Sequence, residues 1–227
     1  MKVSAIIVAG GMGKRLGADV PKAFLPLGDK DIFLHSAEVF DKMGLFEEII
    51  IVVPKVAVAE TEKKVADFST KVIVIEGGKE RHNSVENGVK IASGQVVLIH
   101  DAARPFITEK LVSDLLNFYE EKKATNKISG VISANLVVDT IRKFDGEKCK
   151  ETINRDELIA VATPQIFDKA ILLNCFEKID NLDKIPTDEA MLVQNFGFNV
   201  LWQVGSRKNF KITTTDDFEL AERLVGG

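Results

Sequence analysis

"VAGGMGKRLGADVPKAFLPLGDK", residues Val8 to Lys30, grows out of the apolar run "VSAIIVA" (Val3–Ala9). A β-branched run that ends in clustered glycines reads as a buried strand carrying the chain into a phosphate-binding loop. Three such loops compete. A P-loop needs Gly, four residues and then Gly-Lys-Ser/Thr. Here Lys14 is followed by Arg15, so no hydroxyl stands ready for a magnesium ion. A dinucleotide fingerprint needs a helix that starts at once, with its N-terminus on the pyrophosphate. Gly11, Gly13 and Gly17 imitate that spacing loosely, but Pro21 and Pro26 break any helix, and the second apolar run, "IIIVVP", leads into Lys55 rather than an acidic residue. A wide loop over a nucleoside triphosphate remains. Gly10, Gly11 and Gly13 let backbone N–H groups approach phosphate oxygens, and Arg15 and Lys22 add fixed positive charge. Taken alone, the stretch also admits a glycine-rich surface loop with solvated basic residues.

Further apolar runs recur along the chain: Ile49–Val53, Lys71–Gly77, Gln95–Asp101 and Gly130–Val138. Near-continuous runs of this kind are expected of strands covered on both faces. Helical periodicity lies between them. Asp31–Met43 places Ile32, Ser36, Val39 and Met43 on one stripe, with Gly44 as the stop. Ser84–Ser93 carries Val85, Val89 and Ala92, and Thr108 precedes a helix bearing Leu111, Leu115, Leu116 and Tyr119. The alternation predicts an α/β, three-layer Rossmann-like fold with a mostly parallel sheet. The chain closes on a helix over "TTTDDFELAERLV", capped by Thr215 or Asp216, with Phe218, Ala221 and Val225 inside.

Between Asn135 and Ala160 the pattern changes to two amphipathic strands about a "DGEK" turn, which reads as either an edge hairpin or a projecting β-arm. The absence of repeats and linkers predicts a single domain, 1–227, with that arm at about 135–160.

With a formal net charge of −4 the chain has no bulk positive field for nucleic acid, and no run approaches the length of a membrane span. The N-terminal apolar run is too short for a secretory segment. Cys149 and Cys175 read as reduced thiols, so a cytoplasmic location is expected. His35, His82 and His100 lack zinc-ligand spacing, and His100 reads as a packing residue at a strand end. Trp202 and the phenylalanines read as packing residues rather than base-stacking platforms.

"AGGMGKRLG…PKAF" resembles the signature of nucleotidyltransferases that act on sugar and alditol phosphates. "GGKERHNSV" (Gly77–Val85), "HDAARPF" (His100–Phe106), "ATPQIF" (Ala162–Phe167), "TDEA" (Thr187–Ala190) and "NFKIT" (Asn209–Thr213) follow in order from the first strand to the last helix. Together they resemble the 2-C-methyl-D-erythritol 4-phosphate cytidylyltransferase family. The resemblance implies transfer of a cytidylyl group from CTP to a polyol phosphate, with Mg²⁺. It places Ala9, Gly10, Gly11, Gly13, Lys14 and Ala102 along the nucleotide, with Arg15 and Lys22 as catalytic cations on the triphosphate. Asp101 falls on the metal ligand. Gly78, Lys79 and Ser84 match the segment that reads the cytosine edge, Arg81 orders that loop, and Ser84 also caps the following helix. Many relatives carry an acidic residue in place of Lys79. Arg155 and Lys211 fall on the residues that position the acceptor phosphate, and Arg104, Thr140 and Thr187 on those that contact the polyol or its phosphate. The resemblance also implies a homodimer, with the arm completing the neighbour's site. The segment "GSRKNFK" is basic where family members can supply a second acidic group, which leaves Asp101 and phosphate oxygens to hold the ion.

Two other readings share much of this. A ribitol 5-phosphate cytidylyltransferase would have the same loop, but Ala103 stands where those relatives tend to carry a bulkier residue. A non-catalytic nucleotide-binding subunit would tend to lose Arg15, Lys22, Asp101 or Lys211, and all four are present.

Overall fold

A computed structural model describes residues 1–11, 21–125 and 128–226. Among them, β1 (Val3–Val8), β2 (Pro26–Leu27), β3 (Lys30–Asp31), α1 (Ile32–Met43), β4 (Glu48–Val53), α2 (Val58–Lys64) and β5 (Val72–Glu76) come first. Then follow α3 (Arg81–Ile91), β6 (Val96–Asp101), α4 (Glu109–Thr125), β7 (Gly130–Leu136), β8 (Ile141–Asp145) and β9 (Lys148–Ile153). The chain ends with β10 (Ile159–Asp168), α5 (Lys169–Phe176), α6 (Glu189–Asn195), β11 (Val200–Val204) and α7 (Thr215–Gly226).

Seven strands form the main sheet in the order β11-β7-β10-β6-β1-β4-β5. β10 runs antiparallel to both its neighbours, β6 and β7; the other adjacent pairs are parallel. The alternation of side chains along each strand divides the apolar residues into two layers. Ala5 and Ile7, Ile49 and Ile51, Leu98 and Val131 face α1 and α4. Ile6, Ile50, Val52, Val97 and Ile99 face α3, α5 and α6. The apolar runs are continuous because both faces of the sheet are covered.

Several local readings need correction. The buried stripe of α1 is Ile32, Phe33, Ser36, Ala37 and Phe40, whereas Val39 and Met43 are only partly covered. Helix α3 begins earlier than expected. Its N-cap is Glu80, which forms a capping box with Asn83, so Ser84 lies inside the first turn and is not the cap. Thr108 does cap α4: its Oγ1 accepts from the Leu111 N–H at 3.2 Å. For α7 the cap is Thr214 rather than Thr215 or Asp216. Its Oγ1 accepts from Asp217 N–H at 3.2 Å, while Asp217 Oδ2 accepts from the N–H groups of Thr213 and Thr214. Phe218, Ala221 and Val225 pack inward with Leu27 and Ile32.

The hairpin β8–β9 is a separate two-stranded sheet, turned at Gly146 with φ +58°. It is narrower than the stretch 135–160, because Asn135 and Leu136 still pair with Ala160 and Ile159 of the main sheet. Phe144 on the hairpin is 79% exposed. β10 escapes sequence reading because Thr163, Pro164 and Gln165 interrupt its pattern, and the register shifts between Val161 and Gln165.

Candidate active site

Strand order reverses at β1. The chain passes from β1 to β4 and β5 on one side, then returns to place β6 on the other. Ligands of open α/β sheets bind outside the carboxyl ends of strands at such a switch point. A cavity of about 360 Å³ lies there, lined by Ala9, Gly10 and Gly11 after β1, by Gly78 and Lys79 before α3, and by Asp101 and Ala102 at the end of β6. The backbone ties its walls together: Ala9 N–H donates to Val52 O at 2.8 Å and Ala102 N–H to Val8 O at 3.1 Å.

Lys22 lines this cavity. Its backbone N–H donates to Gly11 O at 3.0 Å, and Pro21 opens the short turn that carries it. The ammonium group bonds Ile212 O, on the segment that presents Lys211. Gly78 sits against α3 so closely that a Cβ would come within 2.2 Å of Asn83 Cβ. Its N–H donates to Ser84 Oγ at 3.0 Å, and Ser84 Oγ donates to Glu80 O at 3.2 Å. Ser84 therefore fixes the turn before α3 from within the helix.

Asp101 forms the floor. Its Oδ1 accepts from Arg81 Nε at 3.0 Å and its Oδ2 from Lys211 Nζ at 2.8 Å. Burial favours the neutral acid, but Arg81 and Lys211 override it and hold the carboxyl well below the usual carboxylate range. Arg81 thus does more than order its loop. Its Nη1 also donates to both oxygens of Glu189, at 2.7 and 3.0 Å. Burial pushes the Glu189 carboxyl up and Arg81 pulls it back. Glu189 carried no pattern signal beyond its place in "TDEA".

A second pocket of about 240 Å³ adjoins the first, sharing Arg81, Asp101 and Lys211 and adding Arg104 and Thr187. Arg104 Nη1 donates to Asn209 O at 3.0 Å. Asn209 is buried, and its Nδ2 donates to Thr163 O at 2.8 Å. Thr163 Oγ1 in turn accepts from the Asp101 N–H at 3.0 Å and bonds His100 Nδ1 at 3.1 Å. "ATPQIF" and "NFKIT" therefore meet beneath Asp101. His100 is fully buried, edge-on to Phe40, and burial lowers its pKa to about 4, so it packs as a neutral ring.

The structure brings Ala9, Gly10, Gly11, Lys22, Gly78, Lys79, Arg81, Ser84, Asp101, Ala102 and Lys211 to the first cavity and Arg104 and Thr187 to the second. Thr140 and Arg155 line neither. Both are exposed and flank the hairpin, Thr140 just before β8 and Arg155 in the short turn after β9, and Arg155 Nη1 donates to Val138 O at 2.5 Å. Gly13, Lys14 and Arg15 lie outside the described residues.

Two adjoining pockets that share one carboxylate and two cations suit the joining of two phosphate compounds, because an attacking phosphate oxygen is ionised near neutral pH and needs screening rather than a base. The class these features define is a nucleotidyltransferase on a doubly wound sheet. Its sequence relatives are more specific. The family model for 2-C-methyl-D-erythritol 4-phosphate cytidylyltransferase matches residues 3–226, and the chain belongs to that family. A relative of that name from Halalkalibacterium halodurans is 36% identical, covering 99% of this chain and 97% of its own. Another, from Clostridium botulinum strain Eklund 17B, is 37% identical over 98% and 99%. Among solved structures, the 4-diphosphocytidyl-2C-methyl-D-erythritol synthase of Anaerococcus prevotii superposes with a TM-score of 0.84 at 26% identity, covering 100% of this chain and 99% of its own. The 2-C-methyl-D-erythritol 4-phosphate cytidylyltransferase of Thermus thermophilus gives 0.82 at 29%, covering 100% of both chains.

Proposed function

We propose that this protein transfers the cytidylyl group of CTP to 2-C-methyl-D-erythritol 4-phosphate, releasing pyrophosphate, in non-mevalonate isoprenoid precursor synthesis. Membership of the family supports the reaction. The observation that carries the site is Asp101, held between Arg81 and Lys211 where the two pockets meet.

The glycine turn and Ala102 cradle the triphosphate in the larger cavity with Lys22 as a cation, and the resemblance assigns Lys14 and Arg15, outside the described residues, to the same nucleotide. Gly78, Lys79 and Ser84 read the base edge. The acceptor enters the smaller pocket, against Arg104 and Thr187, and Lys211 turns its ammonium towards the acceptor phosphate. An oxygen of that phosphate forms a bond to the α-phosphorus, the bond from the α-phosphorus to the bridging oxygen breaks, and pyrophosphate carries away the electron pair. No proton need move. The chain's task is to bring two anions together and to screen the charge building on the α-phosphate.

Asp101 offers the cavity a hard oxygen donor, and no cluster of three or more metal-type ligands occurs among the described residues. One carboxylate completed by phosphate oxygens and water suits Mg²⁺. When bound, Mg²⁺ would neutralise phosphate charge as a Lewis acid. We further propose that the chain works as one domain with its hairpin as a dimer arm, delivering Thr140 and Arg155 to the neighbour's acceptor pocket. Their exposure and the bare Phe144 ring support this. The two free cysteines support a cytoplasmic setting. Among the described residues, no helix is long and apolar enough to cross a membrane.

The test is pyrophosphate release with CTP and Mg²⁺, comparing 2-C-methyl-D-erythritol 4-phosphate with ribitol 5-phosphate side by side. Preference for the first is expected. Preference for ribitol 5-phosphate would move the acceptor assignment, and no release with either would refute the activity.

A further inference from the structure

Glu189 is almost fully buried, at 2% exposure, yet it faces neither substrate position assigned above. It opens α6, beside Asp188, which caps that helix by accepting from Met191 N–H at 2.9 Å and takes Gln165 Nε2 at 2.9 Å. The two oxygens of Glu189 receive one nitrogen of Arg81, and the same guanidinium reaches Asp101 through Nε. Arg81 opens α3, so this bridge ties the helix after the nucleotide turn to the helix beside the acceptor pocket across 108 residues of chain.

Stability alone is a weak reason for such a group, because a buried ion pair often contributes little compared with apolar side chains of the same volume. Its geometry suggests a sharper role. An arginine next to a single carboxylate tends to close on it with two parallel N–H bonds. At Asp101 it does not: Arg81 supplies one bond, to Oδ1, and Oδ2 is left to Lys211 and the cavity. Charge makes the same point: Arg81 is shared between two carboxylates and so is not spent on Asp101 alone.

We propose that Glu189 is a positioning residue: by pinning Nη1 of Arg81 it keeps the guanidinium to a single bond with Asp101, so that Oδ2, which Lys211 holds until a phosphate draws it away, can take the divalent cation of the nucleotide. This rests on the metal role given to Asp101 above. Without Glu189, the guanidinium swings onto both oxygens of Asp101 and takes the cation's place.

Mn²⁺ serves as the probe, with its free concentration followed by electron paramagnetic resonance in the presence of CTP and the full-length protein. Glu189→Gln should raise the Mn²⁺ concentration at half-saturation by roughly tenfold or more, in the range seen when outer partners of metal ligands are removed. CTP binding in EDTA should change by less than about twofold, since phosphate and base contacts are untouched. The double variant Arg81→Gln/Glu189→Gln should recover Mn²⁺ binding close to the wild-type level, because the competing guanidinium is gone. A merely structural role would lower the melting temperature and leave all of these ratios alone. Mn²⁺ binding by E189Q equal to wild type overturns the proposal, as does a double variant no better than E189Q. Should E189Q fail to fold, Glu189→Asp, which keeps the charge but shortens the reach to Arg81, takes its place: a raised Mn²⁺ half-saturation concentration supports the inference and a wild-type value overturns it. Asp101→Asn separates the two layers of argument. If it binds Mn²⁺ as wild type does, the metal assignment falls and takes this inference with it; if it loses Mn²⁺ while E189Q keeps it, only the inference falls.

Discussion

The floor of the cavity and the β8–β9 hairpin are both rich in charge, but they use it in opposite ways. At the floor, Asp101, Arg81, Glu189 and Lys211 satisfy one another at 2.7–3.0 Å within a largely buried cluster. On the hairpin, Lys143–Glu151 at 2.5 Å and Lys150–Asp145 at 3.4 Å are exposed pairs. Exposed pairs contribute about 0–1 kcal/mol each, whereas buried charges tolerate no missing partner. The floor is thus preassembled within one chain. The hairpin's charges and its Phe144 ring lie open, which is what the proposed dimer arm requires.

That contrast is most exposed to test at Lys211. Lys211→Ala should lower turnover roughly 10²–10³-fold, the usual loss when one transition-state donor is removed. Steady-state rates at saturating CTP check this, and a loss below about threefold would detach the floor from the chemistry.

Acid tests the same region through His100. Its folded pKa of about 4 lies below the ordinary value of 6.5 because burial disfavours the imidazolium. The unfolded chain gains a proton as pH falls through 6.5 while the native ring stays neutral until about 4. This contribution is complete above that window and is lost within it, by up to about 3 kcal/mol. Urea unfolding at several pH values should show the decline, and His100→Asn should flatten it.

Just beyond the hairpin, Arg155→Ala should raise the KM for the polyol phosphate about tenfold or more while leaving the KM for CTP within about twofold, as for the loss of a charge-assisted phosphate contact. Equal effects on both substrates would place Arg155 elsewhere. The smallest effect is expected at Gly146, whose φ of +58° favours glycine. Gly146→Ala should cost the turn about 1 kcal/mol, with little movement of the main melting transition. A large fall in melting temperature would show that hairpin and sheet fold as one unit.

The first strands and the glycine turn that leaves β1 were legible because each rests on local rules, whereas the metal role of Asp101 was implied only by the resemblance of the ordered motifs. Both-sided burial writes continuous β-branched runs, and tight approach demands glycine. β10 was not legible, since its middle, Thr163 to Gln165, is chosen for what meets it from β6 and from Asn209 rather than for strand pattern. Nor was the partnership of Arg81 and Glu189.

From the order of residues alone follow the layered α/β class and, through the ordered motifs, the family. It took the folded chain to show that Arg81 reaches Asp101 and Glu189 at once, that Ser84 braces Gly78 instead of capping α3, and that Lys22 and Lys211 converge through Ile212 and Asp101. Periodicity and propensity are properties of neighbours in the chain, whereas a charge's partner, sometimes a hundred residues away, is set by which strand ends the sheet order brings together.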